Sequence, residues 1–195
     1  MERTQVRIAA FALLALLGSS IRVARAEVVE HITHTGTAIH QEVVLHATPA
    51  RVYAALTTSG GFDKVVRLSA AMNSEMKAKL GTAPTVVSHV AGGPFVAFGG
   101  YVTGRQIELV TNQRIVQVWR SGSWQPGVWS LASFELSAQG AEDTKLVFDH
   151  VGFPAAEADH LAEGWRTNYW EPLAKYLAAP AAAPAAAPAA ATEKH

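Results

Sequence analysis

Val128 to Ser137 and Thr144 to Val151 alternate apolar and polar residues with a period of two, and short β-prone runs bounded by turn residues precede them from Ile39 on. From Ala155 to Ala178 the period changes. Apolar residues there recur every three or four positions, so Trp165, Tyr169, Leu173 and Tyr176 share one face of a helix. The β-prone runs predict strands at Ile39 to His46, Thr85 to Val90, Phe95 to Phe98 and Tyr101 to Leu109. Further strands are expected at Arg114 to Arg120, Val128 to Ser137 and Thr144 to Val151. Mostly short links join the last six: Gly92-Gly93-Pro94, Gly99-Gly100, Thr111-Asn112, a looser Ser121 to Gly127, and Ala138 to Asp143. Such links favour antiparallel order, and Gly99-Gly100 suits a tight hairpin.

Before this run, Thr48 is a good N-cap and Pro49 fits a first helical turn. Val52, Tyr53 and Leu56 give that short helix an apolar face, and Ser59-Gly60-Gly61 ends it. Residues 62–84 carry the weakest pattern. Met72, Met76 and Leu80, spaced by four, predict a helical piece over Asn73 to Leu80 with the methionines packed in the core.

Alternation also assigns faces. Leu146, Phe148 and His150 point one way, and Lys145, Val147 and Asp149 the other. Ala132, Phe134 and Leu136 oppose Ser133 and Glu135. On Arg114 to Arg120 the pattern allows either face inward, Ile115, Gln117 and Trp119 or Val116, Val118 and Arg120, and Trp119 is the expected inward residue. The apolar faces should meet the aromatic stripe of the last helix. The expected architecture is therefore α+β: a curved antiparallel sheet wrapped around a long C-terminal helix, with an apolar pocket between them. In that helix, Gly164 suggests a close backbone approach or a break, and Pro172 a kink. All five tryptophans lie between Trp119 and Trp170. Trp124 should sit in a loop, Trp129 on the outer face, and Trp170 off the main stripe.

The ends read differently. Arg3 and Arg7, an apolar run from Ile8 to Leu17 and Ala24-Arg25-Ala26 form a signal-peptide pattern over residues 1–26. The apolar run is short for a membrane span, which needs ~20 residues. Export to the periplasm or medium, with cleavage after Ala26, is the expectation. An uncleaved anchor is the alternative, since Arg22 and Arg25 stand close to the cleavage site. Residues 27–36 form an N-terminal segment, residues 37–178 one domain, and residues 179–195 an Ala/Pro-rich tail. Prolines at 180, 184 and 188 forbid a continuous helix in the tail.

Residues 1–26 hold four of the 16 basic residues and one of the 16 acidic ones. The remainder, with 12 basic and 15 acidic residues, has no basic concentration that would attract nucleic acid or an anionic membrane. With no cysteine, the chain forms no disulfide and carries no lipid on sulfur.

The order of motifs carries a resemblance. Ala47-Thr48-Pro49-x-x-Val52-Tyr53-x-Ala55-Leu56-Thr57 is followed by Gly-rich hairpins and by Arg114-Ile115-Val116-Gln117-x-Trp119-Arg120. Then come Thr144-Lys145-Leu146-x-Phe148-x-His150 and Gly164-Trp165-x-x-x-Tyr169-Trp170-x-Pro172-Leu173. Over Ile39 to Leu177 this resembles the SRPBCC superfamily of START-like, helix-grip proteins. Within it, the chain is most similar to the branch named for homologues of the heat-shock-protein ATPase activator. The resemblance implies a sheet of seven-stranded type around a C-terminal helix, and a cavity that binds apolar small molecules in many relatives. Val65 and Val66 stand where relatives often carry tryptophans. The export pattern is also a departure, because the branch's name-giving role needs a cytosolic ATP-driven chaperone.

A small apolar or aromatic molecule is therefore the expected partner. Phe98, Trp119, Phe134, Phe148, Trp165 and Tyr169 are its expected pocket, and His150 its polar contact. Alternatives are a cyclase- or dehydratase-type enzyme using His150 in proton transfer, and a protein-interaction module using the outer sheet face. The eight histidines form no metal motif: His31 and His34, three apart, lie in the N-terminal segment before the domain, and His40 and His46 stand about 20 Å apart along one strand. No cofactor motif and no Gly-x-Ser-x-Gly nucleophile occur. Arg120 is expected in a surface ion pair.

Overall fold

A computed structural model describes residues 27–29 and 38–179. The signal-peptide pattern, His31, His34 and the Ala/Pro repeats lie outside the described residues. Eight strands form one antiparallel sheet: β1 (Glu27–Val29), β2 (Ala38–Leu45), β3 (Val86–Val87), β4 (Pro94–Ala97), β5 (Val102–Val110), β6 (Arg114–Ser121), β7 (Ser130–Gln139) and β8 (Asp143–Val151). Their order is β1-β2-β8-β7-β6-β5-β4-β3, so β3 to β8 form a meander and β2 returns to pair with β8. The expected strand at Thr85 to Val90 shortens to two residues, and β1 adds a short edge strand. No described helix is long and apolar enough to cross a membrane.

The alternation holds where it was readable. Along β8, Leu146, Phe148 and His150 are buried, and along β7 so are Ala132, Phe134 and Leu136. β2 buries Ile39, Gln41, Val43 and Leu45 in the same way. These inner faces hold the C-terminal helix.

Two helices separate β2 from β3. The first, α1 (Pro49–Thr57), starts as expected, but Thr48 makes no side-chain cap. The chain then does not stop at Ser59-Gly60-Gly61. Thr58 accepts from Gly61 N at 3.2 Å and opens a second helix, α2 (Ser59–Arg67). Gly61 has to lack a side chain there, because a Cβ would press on Thr58 Oγ1 and on the Ala54 carbonyl. α2 buries Phe62, Val65 and Val66. Beyond it, Asn73 to Leu80 is two 3₁₀ turns, Ala71–Asn73 and Glu75–Lys79. Met76 is 40% exposed and not a core residue.

The long helix is α3 (Ala158–Trp165), a π turn (Arg166–Trp170) and α4 (Glu171–Ala178). In the π turn the Glu171 amide bonds back to the Arg166 carbonyl, one residue further than in an α-helix. The extra residue shifts the buried face by one position. Trp165 and Tyr169 are followed inward by Trp170, Leu173, Ala174 and Leu177, and Tyr176 moves to the edge. Trp170, expected off the stripe, is fully buried and stacks on Trp165 at 5.6 Å with 20° between the rings. Pro172 falls in the first turn after this widening, where its missing N–H costs least. Gly164 makes no close approach: a Cβ there would meet only Asn168 Nδ2, at 4.0 Å. At the far end Arg51 of α1 donates to the carbonyls of Leu177 and Ala179, both at 3.1 Å, and so caps α4.

Candidate functional site

The C-terminal helix does not fill the whole concave face. A cleft of about 100 Å³ remains between α3 with the π turn, the β5–β6 end of the sheet, and the 3₁₀ segment. Its walls are largely apolar: Leu80, Phe98, Val102, Trp119, Leu161 and Trp165 contribute, with Tyr169 at the inner end. Ser121, Asn168, Glu157 and His160 supply polar groups.

The cleft exists because of local features in each wall. Phe98 is held at φ 50°, followed by Gly99 at φ 68° and Gly100 at φ 95°. This 3₁₀ turn replaces the expected two-residue hairpin and carries Phe98 inward, where it is 4% exposed. Left-handed backbone at a bulky residue is strained and needs support from its surroundings. Here Gly99 and Gly81 cross so closely that a Cβ on either would overlap the other's carbonyl. That crossing pins one end of the 3₁₀ segment to the cleft rim. The other end is tied to the helix by Ala71 N donating to Asn168 Oδ1 at 2.8 Å.

Four of the seven residues expected to form the pocket line the cleft together: Phe98, Trp119, Trp165 and Tyr169. Phe134 lines a separate inner void of about 10 Å³ with Leu56, Phe62, Phe95, Ile115, Gln117 and Tyr169. That space suits about one water molecule. Phe148 and His150 reach neither space. Phe148 is packed between Trp165 at 4.2 Å and Trp170 at 5.1 Å.

His150 is fully buried in a closed hydrogen-bond chain. Trp165 Nε1–H donates to Nδ1 at 3.0 Å, so Nδ1 carries no proton. The proton of the neutral ring is then on Nε2, which donates to Ser130 Oγ at 2.7 Å. The Ser130 hydroxyl in turn donates to the Trp119 carbonyl at 2.9 Å. Burial lowers the imidazole pKa to about 3. The Ser130–His150 pair therefore runs opposite to a nucleophile–base pair: histidine donates and serine accepts.

Other buried polar groups have no protein partner. Trp119 Nε1 and the Tyr169 hydroxyl are both of this kind, as are both amide atoms of Gln106. Burial pushes the Tyr169 phenol well above its ordinary value. The Trp119 indole, close enough to offset this slightly, does not meet it in hydrogen-bond geometry. A buried group left unpaired costs ~1–3 kcal/mol. Neither glutamine of the inner face, Gln106 or Gln117, was singled out from sequence as a site residue. The available signal was a polar residue at an inward position of an otherwise apolar strand face.

Arg120 forms no surface ion pair among the described residues. It donates to the Trp124 carbonyl at 2.8 Å and lies over the Trp129 ring at 5.7 Å. Trp124 is in the expected loop, buried edge-on against Trp119 at 5.3 Å. On the outer face His40 pairs with Asp149 at 2.7 Å and His46 with Asp143 at 2.8 Å. No group of side chains suited to a metal ion occurs among the described residues.

The chain is similar to activator of 90 kDa heat shock protein ATPase homolog 2 of Mus musculus, 30% identical over 108 residues, which is 55% of this chain and 32% of that protein. It is also similar to the corresponding homolog of Dictyostelium discoideum, 34% identical over 77 residues, 40% of this chain and 20% of that one. The chain thus spans about a third or less of the length of these curated relatives. An HSP90 activator from Plasmodium falciparum shares the fold with TM-score 0.58 and 20% identity, over 68% of this chain and 90% of that one. A protein from Chromobacterium violaceum matches with TM-score 0.57 and 21% identity, over 75% of this chain and all of that one. Residues 46–178 match the family model described as Activator of Hsp90 ATPase homolog 1-like protein, and the chain belongs to that family.

Proposed function

We propose that this domain binds a small apolar or aromatic molecule in the cleft between the C-terminal helix, β5–β6 and the 3₁₀ segment. The observation that carries this reading is the cleft itself, walled by aromatic rings and bordered by a few polar groups. Ligand sites of drug-sized molecules occupy ~300–1,000 Å³. A cleft of about 100 Å³ therefore takes a fragment-sized molecule as it stands, or a larger one if the 3₁₀ segment yields. That segment is the part of the wall made of short turns, with Met76 exposed. The reading does not rest on His150, whose two ring nitrogens are both engaged away from the cleft.

Native mass spectrometry of the purified protein, with solvent extraction of the same sample, tests the proposal. A co-purifying apolar compound in one-to-one ratio is expected. A protein that carries no such compound and takes up no apolar probe contradicts it. Export, proposed from the pattern of residues 1–26, would restrict such a ligand to the periplasm or medium.

A second reading has its own observation. On the outer face Leu131 and Val151 are paired neighbours, 40% and 42% exposed, and Trp129 beside them is 46% exposed. Exposed apolar residues grouped in this way suit a protein partner. The relatives are named for activating a 90 kDa heat-shock-protein ATPase. Stimulation of such an ATPase by the purified chain, lost in Trp129→Glu, would support this reading. Absence of stimulation by the wild-type chain would oppose it.

A further inference from the structure

The inner face of β5 and β6 carries a line of polar side chains from the cleft into the core. Ser121 and Trp119 stand on the cleft wall. Gln117, the next inward residue of β6, stands on the wall of the inner void. Across the strands Gln117 is paired with Gln106. Gln106 is fully buried, with neither amide atom bonded to protein.

Tyr169 divides the two spaces and lines both. Its ring packs at 5.6 Å from Phe98, a cleft residue, and at 5.7 Å from Phe62, a residue of the void. Packing alone gives no reason for these side chains. Leucine or methionine would fill the same positions without an unpaired amide. Buried polar groups without partners call for an explanation: of five such side-chain atoms among the described residues, four belong to Gln106, Trp119 and Tyr169, and the fifth, Trp124 Nε1, lines neither space.

We propose that the cleft and the inner void are two parts of one binding site, with the Tyr169 ring as the movable partition. The ligand is a neutral, mainly apolar molecule whose leading carbonyl, amide or hydroxyl group reaches Gln117 and Gln106. This rests on the reading of the cleft as a ligand site. Neutrality follows from the available groups. Two amides, a phenol and an indole form hydrogen bonds but cannot balance a charge. Neither space is lined by a lysine or arginine, and the cleft's carboxylate and imidazole side chains, half-buried Glu157 and exposed His160, belong to its solvent-facing rim rather than to the inner void. A carboxylate or phosphate would be buried there without a counter-charge. A pure hydrocarbon would leave the amides unpaired.

Three naphthalenes of similar shape test this by tryptophan-fluorescence titration of the purified full chain: 2-acetonaphthone, 2-isopropylnaphthalene and 2-naphthoate. The ketone is expected to bind at least ~10-fold tighter than either of the others. Gln117→Leu should remove that advantage and leave the hydrocarbon's affinity unchanged or raised. Gln106→Leu gives the same comparison if the first variant does not fold. Equal binding of ketone and hydrocarbon means that solvent satisfies the amides, and it overturns the proposal while leaving the cleft reading intact. A ketone preference that survives the substitutions, or tighter binding of the naphthoate, also overturns it. If none of the three binds, the cleft reading itself falls.

Discussion

His150 and Gln41 are both polar, both almost wholly buried and both fully engaged. Gln41 of β2 donates to the Ala162 carbonyl at 3.0 Å and accepts from Trp170 Nε1 at 2.6 Å, so it ties the sheet to α3 and to the π turn. His150 ties β8 to β7 and to the helix. Burial keeps a second proton off the imidazole, and that proton would also set Nδ1–H against the Trp165 N–H. The folded value of about 3 lies below the ordinary 6.5. Between those pH values the unfolded chain binds a proton that the folded chain does not. This group's contribution is complete above pH 6.5 and is lost as pH falls toward 3, at about 1.4 kcal/mol per unit. Thermal melts of wild type and His150→Gln from pH 7.5 to 4 should therefore diverge, with the shallower acid loss in the variant, which keeps a donor and an acceptor. Parallel curves would contradict this account. The inward direction of His150 was legible from alternation alone. Its partners were not, because they depend on strand register and on the rotation of a helix 15 residues away.

At the scale of elements, what was legible followed periodicity, and what was missed followed local hydrogen bonding. The strands were found because a half-buried strand repeats every two residues. α2 was missed because a Ser-Gly-Gly sequence commonly ends a helix, whereas here Thr58 caps a new one and Gly61 permits the close junction. Pro172 marked a disturbance in the last helix but not its form. The π turn resolves it by adding a residue, and so brings Trp170 under Trp165. Gly164 lies in α3 on the cleft wall with open space where a side chain would project. Gly164→Ala should stabilise the protein by about 1 kcal/mol, raising Tm by about 2–4 °C, since helix propensity improves and nothing is displaced. A lower Tm in calorimetry would show a constraint at this position beyond those described.

Over the described residues the molecule is a curved sheet that holds an interrupted C-terminal helix, and the interruption sits beside the cleft. Chain order made this architecture readable: six alternating segments in sequence must form a meander, and one aromatic helix must be covered. The division of the pocket was not readable. Seven aromatic and polar residues were expected around one space, but Phe134 borders an inner void while Phe148 and His150 are sealed within the core. Side-chain direction gives the face of a strand, not the depth at which a helix crosses it. The proposed export belongs to this scale as well. N-terminal sequencing of the protein made in a bacterial host with an outer membrane should read from Glu27, and an N-terminus at Met1 or Glu2 would oppose cleavage.

The central claim is that the cleft beside Tyr169 admits an apolar ligand. Gly164 lines the cleft, and a Cβ there would meet only Asn168 Nδ2, at 4.0 Å, so Gly164→Leu is the substitution suited to filling it. Titration of wild type and this variant with 2-acetonaphthone, followed by tryptophan fluorescence, tests the claim most directly. Saturable one-to-one binding to the wild type, weakened at least ~10-fold in a variant with an unchanged melting profile, is the predicted result. Equal binding by both proteins, or none by the wild type, would contradict it.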